Sequence, residues 1–499
     1  MNSSAESQMK ARRMHPLWIV FKLASSIKEF LFPLVMAVIL NGHSQGLLIK
    51  LGKIAILLFL VYEVVAVFLD WWHFKYLIAD HKLHIQKGRF VKEKRTIPLD
   101  RIQSVNKRRS VFHRALGLAA LTFETGAKGD EASVHLNVIT LKEAERLQGC
   151  LSPSRNVPYE NLKDAPADKL QVSDSLTHFL ITSKEILLAA LTSLSIFAFF
   201  PLIFALYDKI NRFFSVDRYA EEAFAFFSHA WGGYVIIGLV ALIVSLLFGI
   251  ILMYVRYGNF KVASDLERIF VSKGVWSHSE TSVPKDKVQA IIFKKNLIRR
   301  WFRFAKVELV CAMDGKDEGE ETNVLFPFIA EERAVQLIQA ILPTFEIETS
   351  VKPLPRAAVF AKLLRPVLFW LLVTAMLLYF WPQYWYGSLG LLAVLSVCQW
   401  FNYLNCGYAW CDPFIRLQSG IFTTELFITR VKKVEELAVV ETWLQRRFGL
   451  ASLRLSTRAK PVHVATVSDI QKETAAQYYH RYAHRKMAQE VGVLQDEKA

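Results

Sequence analysis

Apolar residues along this chain gather in blocks separated by long polar, charge-rich stretches. Six blocks approach the roughly 20 residues that a helix needs to cross hydrocarbon: Phe30 to Leu40 with its apolar shoulders, Ile54 to Leu69, Ile186 to Tyr207, Tyr234 to Tyr254, Val367 to Trp381 and Leu389 to Leu404. They come in twos, with short connections in the first and third pairs and a longer one, Asp208 to Ala230, in the second. The pattern predicts three membrane hairpins. The first block is short and contains Pro33, which alone would suit a re-entrant segment; its place in a pair favours a span.

Basic residues flank the pairs: Lys10, Arg12, Arg13, Lys22 and Lys28 before the first, Lys75 and Lys82 after it, and Arg356, Lys362 and Arg365 before the third. Such flanks stay in the cytoplasm, so both termini and the large polar segments are expected there. Lys50, Lys53 and the mixed charges of the Asp208 to Ala230 loop obey the rule poorly. Trp71, Trp72, Trp231, Trp381 and Trp385 stand at block edges, as an interfacial aromatic belt would. Met1 to Lys10 lacks the pattern of a cleavable signal, so the first block is expected to stay in the chain.

The polar segments repeat. Each opens on an aromatic residue and reaches a glycine: Tyr76 to Gly88, Phe260 to Gly274, Tyr408 to Gly420. Ten residues after the glycine stand Pro98, Pro284 and Arg430, opening the stretches 98–103, 284–289 and 430–435, with Gln103, Gln289 and Glu435 at their ends. Twenty-nine residues after it the copies realign at Gly117, Arg303 and Gly449. Each copy is a small β-rich module. Leu83 and Ile85 alternate as in a half-buried strand, Gly88 marks a turn, and Leu118 to Thr125 reads as a second strand. Pro98 to Val105 suits a short helix or an irregular crossing, and helical patterns at Leu141 to Gln148 and Ala330 to Leu342 close the first two modules.

The fold class is therefore an α-helical multispanning membrane protein, about six spans in three hairpins, with three small cytoplasmic β-rich modules each closed by a helix, a form similar to the pleckstrin-homology (PH-like) fold. The segments are 1–72 (N-terminal part and first hairpin), 73–150 (first module), 151–183 (linker), 184–256 (second hairpin), 257–345 (second module), 346–405 (linker and third hairpin), 406–485 (third module) and 486–499 (tail).

Tyr76, Gly88, the run 97–105, Phe112, Arg114 and 116–119 resemble the second type of bacterial pleckstrin-homology-like domain. With three copies on hairpins, the whole chain resembles the YdbT-like membrane proteins of Gram-positive bacteria. The second copy fits less well than the first, and the third, with Arg430 in place of proline, mainly in its spacing. The resemblance implies a fold and a membrane location but no chemistry. It also leads one to expect a smaller single-module membrane protein as a partner.

Composition agrees with lipid contact: 53% of the 499 residues are hydrophobic, 36 of them Phe, and mean hydropathy is +0.25. The formal charge of +16 suits anionic headgroups better than nucleic acid, because the same charges already serve the topology. Cys150, Cys311, Cys398, Cys406 and Cys411 form no metal-ligand spacing, and the histidines, including His73, His81, His84 and His113, are scattered. There is no glycine-rich nucleotide loop, HExxH or GxSxG, so no catalytic residue, cofactor or metal is expected. Asp100 with Arg101, matched by Asp286 and Lys287, reads as an ion pair or helix-start residue, since the third copy has Lys432 and Lys433 there.

Between Lys82 and Arg114, eleven basic residues against Glu93 and Asp100 leave +9. Such a run is either a solvated face that enforces topology or a headgroup- or partner-binding surface. The candidates for the second role are Lys92, Lys94, Arg95, Arg101, Lys107, Arg108, Arg109 and Arg114, with Lys294, Lys295, Arg299 and Arg300 in the second copy. Trp301 and Phe302 beside them would enter the headgroup layer or else belong to the module core. The expected function is a non-enzymatic membrane scaffold contacting lipid headgroups or a partner, in support of envelope integrity or resistance to membrane-active agents. A transporter or exporter subunit using Glu63, the one clear acid inside an apolar block, is the alternative, and a platform binding peptides at sheet edges is a third reading.

Overall fold

The computed structural model describes residues 11–26, 47–89, 91–125, 133–150, 176–193, 231–311, 323–458 and 462–496. The Phe30 to Leu40 block, the Asp208 to Ala230 loop and most of the Ile186 to Tyr207 block lie outside them. Two compact units emerge. The first is residues 1–173 with 276–282, the second 174–275 with 283–499.

In the first unit, helix α1 (Leu17–Ser26) precedes the 27-residue apolar helix α2 (Leu47–His73). Strands β1 (Lys75–Ala79), β2 (Lys82–Lys87) and β3 (Glu93–Pro98) form an antiparallel meander. Asp80 and His81 join the first two in a two-residue turn with φ of 52° and 55°, the left-handed pair that matches strand twist. A single 3-10 turn, Leu99–Arg101, leads into β4 (Ile102–Arg109). The one-turn helix α3 (Val111–Ala115) follows, then β5 (Leu118–Thr125), β6 (Ser133–Thr140) and α4 (Leu141–Gly149). Alternation sends Leu83, Ile85, Leu121, Phe123 and Leu136 into one core against Ala144 and Leu147 of α4. Arg12 bridges to Tyr76 beside β1, and its side chain pairs with the buried Glu143 of α4.

The second unit begins with β7 (Leu176–Leu180), α5 (Ser183–Leu191) and the long apolar α6 (Trp231–Tyr257). Strands β8 (Lys261–Ser264), β9 (Arg268–Lys273) and β10 (His278–Pro284) follow; the His278–Ser282 part of β10 belongs to the first unit. Next come β11 (Val288–Asn296), α7 (Leu297–Trp301), β12 (Phe304–Cys311), β13 (Val324–Ala330) and α8 (Glu331–Ile341). The third copy repeats the order after β14 (Lys352–Pro353), α9 (Ala357–Leu364), α10 (Val367–Phe380) and α11 (Gly387–Asn405). Its elements are β15 (Gly407–Cys411), β16 (Phe414–Ser419), β17 (Thr423–Arg430), β18 (Val434–Val440), α12 (Trp443–Arg447), β19 (Leu450–Thr457), β20 (Val464–Gln471) and α13 (Lys472–Asp496). Among the described residues, three helical stretches are long and apolar enough to cross a membrane: Leu239–Tyr257, Ala357–Phe380 and Gly387–Asn405.

The repeated sequence positions are structural. Tyr76, Phe260 and Tyr408 are buried at the module openings. Gly88, Gly274 and Gly420 have φ of 110°, 94° and 130°, a region only glycine enters freely. Gln103, Gln289 and Glu435 sit where the ladder slips by one residue, between Ile102 and Ser104, Val288 and Ala290, and Val434 and Glu436. Pro98 and Pro284, like Arg430, cap the 3-10 turns, with Asp100 exposed in the first of them.

Each of the first two copies receives a strand from the copy that follows it. Residues 278–282 lie antiparallel to β4, with Glu280 opposite Lys107 and their charged groups 2.8 Å apart. In the second unit β17 lies along β11, with Glu425 opposite Lys294 at 3.3 Å. Counted from Pro98, Pro284 and Arg430 the two registers are identical.

Two predictions follow from this geometry. A Cβ on Gly420 would stand 1.9 Å from the Thr423 carbonyl oxygen, so Gly420→Ala should destabilise the full chain by about 1–3 kcal/mol in detergent thermal unfolding; an unchanged midpoint would contradict the turn. Burial pushes the Glu280 carboxyl up, but hydrogen bonds from His278 and Lys107 and the Lys107 charge outweigh it and hold it down at about 2. A carboxyl depressed on folding contributes stability that is complete above its ordinary value of 4.5 and is lost as pH falls toward about 2. The stability difference between wild type and Glu280→Gln should therefore be constant near neutrality and shrink below pH 4.5; a difference independent of pH would refute the pairing.

Candidate functional site

Seven residues before Gly117, Arg303 and Gly449 stand Ser110, Asn296 and Thr442, all good N-caps. Each side chain accepts a hydrogen bond from the backbone three residues on, from His113, Arg299 and Gln445 respectively, and so starts α3, α7 or α12. Gly117, Arg303 and Gly449 end these turns with φ of 66°, 56° and 64°. The outer face is apolar and basic in every copy. Phe112 is 71% exposed, Trp301 85%, Phe302 59% and Trp443 80%. Beside them lie exposed Arg108 and Arg114, Arg300 and Arg303, and Arg446 and Arg447.

The inner face is tied to a helix that precedes each module in the chain: α1, α5 and α9 in turn. In the first copy His113 stacks on Phe21 of α1 with ring centroids 4.8 Å apart. Burial, the larger influence, and the nearby Arg108 and Arg109 lower its pKa despite the Asn137 carbonyl contact, so the ring is neutral. A neutral ring fits its partners, with Nε2 donating to Asn137 O at 3.2 Å and Nδ1 accepting from Ser110 Oγ at 2.6 Å.

In the second copy Asn296 donates to the Thr192 carbonyl, just past α5, at 2.6 Å. Arg299 is buried over Phe328 and reaches Thr192 Oγ1 and Pro327 O. Arg300 donates to Asn405, the last residue of the apolar helix α11. That bond sets Trp301 and Phe302 at the end of a candidate membrane span.

In the third copy Gln445 donates to Asp469 Oδ1 at 2.8 Å, and Arg365, just past α9, donates to the same oxygen at 2.9 Å. Lys362 of α9, only 1% exposed, lies 3.9 Å from the other oxygen. Asp469 is fully buried with φ of 69°.

These facts divide the basic candidates. Lys92, Lys94, Arg101, Arg108, Arg114 and Arg300 are exposed; Arg95 and Arg109 are half-buried. Lys107 and Arg299 are not part of a solvated face: each is 8% exposed, one held by Glu280 and the other by Thr192 and Phe328. Lys294 is taken up by Glu308 and Glu425, and Lys295 by Glu331 at 2.7 Å. Trp301 and Phe302 stand outside the core. Sequence reasoning passed over Trp443, Arg446 and Arg447, although the N-cap spacing shared by the copies was available to find them. Among the described residues no cluster of His, Cys, Asp and Glu could hold a metal ion.

A sequence model of the bacterial PH domain matches residues 30–155, 195–344 and 355–486. The UPF0699 transmembrane protein YdbT of Bacillus subtilis (strain 168) is 27% identical over 490 residues, covering 95% of this chain and 98% of that protein. No solved structure matches.

Asp469→Asn keeps the left-handed backbone, which Asn tolerates, but removes the charge facing Lys362 and Arg365. Leaving a buried ammonium without its counter-ion should lower stability by about 3–5 kcal/mol. Thermal unfolding of the detergent-purified chain measures this; an unmoved midpoint would mean that Asp469 does not hold α9 to the module.

Proposed function

We propose, for a chain that belongs to the bacterial PH domain family, that it is a non-enzymatic membrane scaffold whose one-turn helices α3, α7 and α12 engage anionic lipid headgroups. In this reading six spans form three hairpins, the termini and the three modules are cytoplasmic, and the scaffold supports envelope integrity or resistance to membrane-active agents. The observation that carries it is the bond from Arg300 to Asn405 at the end of α11, beside Trp301 at 85% and Phe302 at 59% exposure. Large aromatic rings with neighbouring arginines at the end of a span suit the headgroup layer, where the ring enters and the guanidinium stays among phosphates. Each basic residue near an anionic leaflet adds about 1 kcal/mol, so a few such side chains per module hold it against the surface. The transmembrane relative and the three family matches support a membrane setting for these modules.

An environment-sensitive fluorescent amino acid placed at position 301, and separately at 443, tests the proposal. Emission should shift to the blue when the chain is reconstituted into phosphatidylglycerol-containing bilayers, and less in neutral phosphatidylcholine. Emission characteristic of water in both bilayers would sink it.

A further inference from the structure

The strand donation described above ends unfinished at both extremes of the repeat. Among the described residues β3 has a neighbour only in β2, and β18 only in β19. Yet β3 is the counterpart of the donated strands β10 and β17, and β18 the counterpart of the receiving strands β4 and β11. We propose that β3 of one copy of this chain adds to β18 of a second copy, in the register of the internal junctions.

Three observations commit the site to a second copy. The first is register. Transferring the pairing of Lys107 with Glu280 and of Lys294 with Glu425 sets Val439 opposite Lys94, Ala438 opposite Arg95 and Glu436 opposite Ile97. The slip at Glu435 repeats that at Gln103 and Gln289, so β18 offers its ladder from the same point.

The second is charge. Residues 434–441 carry Glu435, Glu436 and Glu441 and no base, whereas 92–98 carry Lys92, Lys94 and Arg95 against Glu93. Arg458 and Lys472 already approach Glu435 and Glu441, but Glu436 is exposed. In the transferred register Arg95 is its diagonal neighbour on the same face, within reach of a long side chain.

The third is selectivity. At the internal junctions the receiving strand brings the lysine and the donated strand the glutamate, Lys107 with Glu280 and Lys294 with Glu425. At the free edges the signs are reversed. A basic β3 is repelled by the lysine-bearing edges of β4 and β11, and an acidic β18 by strands carrying Glu280 or Glu425, so each free edge suits the other. Main-chain hydrogen bonds supply the affinity and the charges the choice of partner. Because the two edges differ, the contact is head-to-tail.

The test uses two differently tagged full-length copies in one membrane, with the photo-crosslinking residue p-benzoylphenylalanine at position 439 of one. Irradiation should give a product bearing both tags, with the crosslink mapping to residues 92–98 of the other copy. Glu436→Lys should reduce this product severalfold, and Arg95→Glu in the second copy should restore it. A crosslink within one chain, a crosslink to a different protein, or no crosslink at all would each overturn the proposal. Co-purification of the two tags, weakened by Glu436→Lys and rescued by Arg95→Glu, reads the same contact without the photoreactive residue; indifference of co-purification to both changes would also overturn it.

Discussion

Backbone groups at the edge of a sheet must find partners or stay wet, and that constraint organises this protein. Each module makes a three-stranded sheet from its second half whose first strand, β4 or β11, has one side open. Residues 278–282 and β17 fill those sides. The fit needs more than backbone: Ser279 donates to Asn106 at 3.0 Å, Thr429 donates to the Gln289 carbonyl at 2.8 Å, and Lys107 and Lys294 meet carboxylates across the seam. The one-residue slip at Gln103 and Gln289 twists the receiving strand and sets where pairing starts. A module cut out at its sequence boundaries would lose either a strand or a place to put one.

The same economy joins modules to the apolar helices. The one-turn helix between the fourth and fifth strands is too short to be stable alone, yet its cap, its inward third residue and its left-handed end are fixed in all three copies. That inward residue differs each time: a half-buried histidine on an aromatic ring, a buried arginine over Phe328, a buried glutamine on Asp469. What persists is the role, holding a helix that precedes the module in the chain. The exposed Trp301 and Trp443 lie outside the core, while the exposed Arg300 adds a second hold on an apolar helix through Asn405.

Much of this was legible in the chain. Leu118 to Thr125 is a strand with those bounds, its burial alternating from Ala119 to Phe123, and α4 and α8 fall where their apolar spacing put them. The glycines marked turns because of their backbone freedom; the shared proline and glutamine positions marked the repeat, and only the structure shows that a 3-10 turn and a ladder slip stand there, with Arg430 and Glu435 serving in the third copy. β4 was obscure because Asn106 and Lys107 break the apolar alternation; both are buried by a strand far away in sequence, and no local pattern announces that. Arg299 misled for the same reason: a cation covered by Phe328 and Thr192 looks in sequence like any surface arginine. The repeat located the modules but not the traffic of strands between them, since edge pairing depends on how separate segments meet.

Residues 276–282 complete the first unit, and they follow the apolar helix α6 in the chain. During synthesis the N-terminal sheet therefore waits with β4 uncovered until residues 276–282, beyond the midpoint of the 499-residue chain, have been made. Maturation of the first unit is thus tied to synthesis of a distant segment, and a chain that stops before that segment leaves the β4 edge without its partner strand.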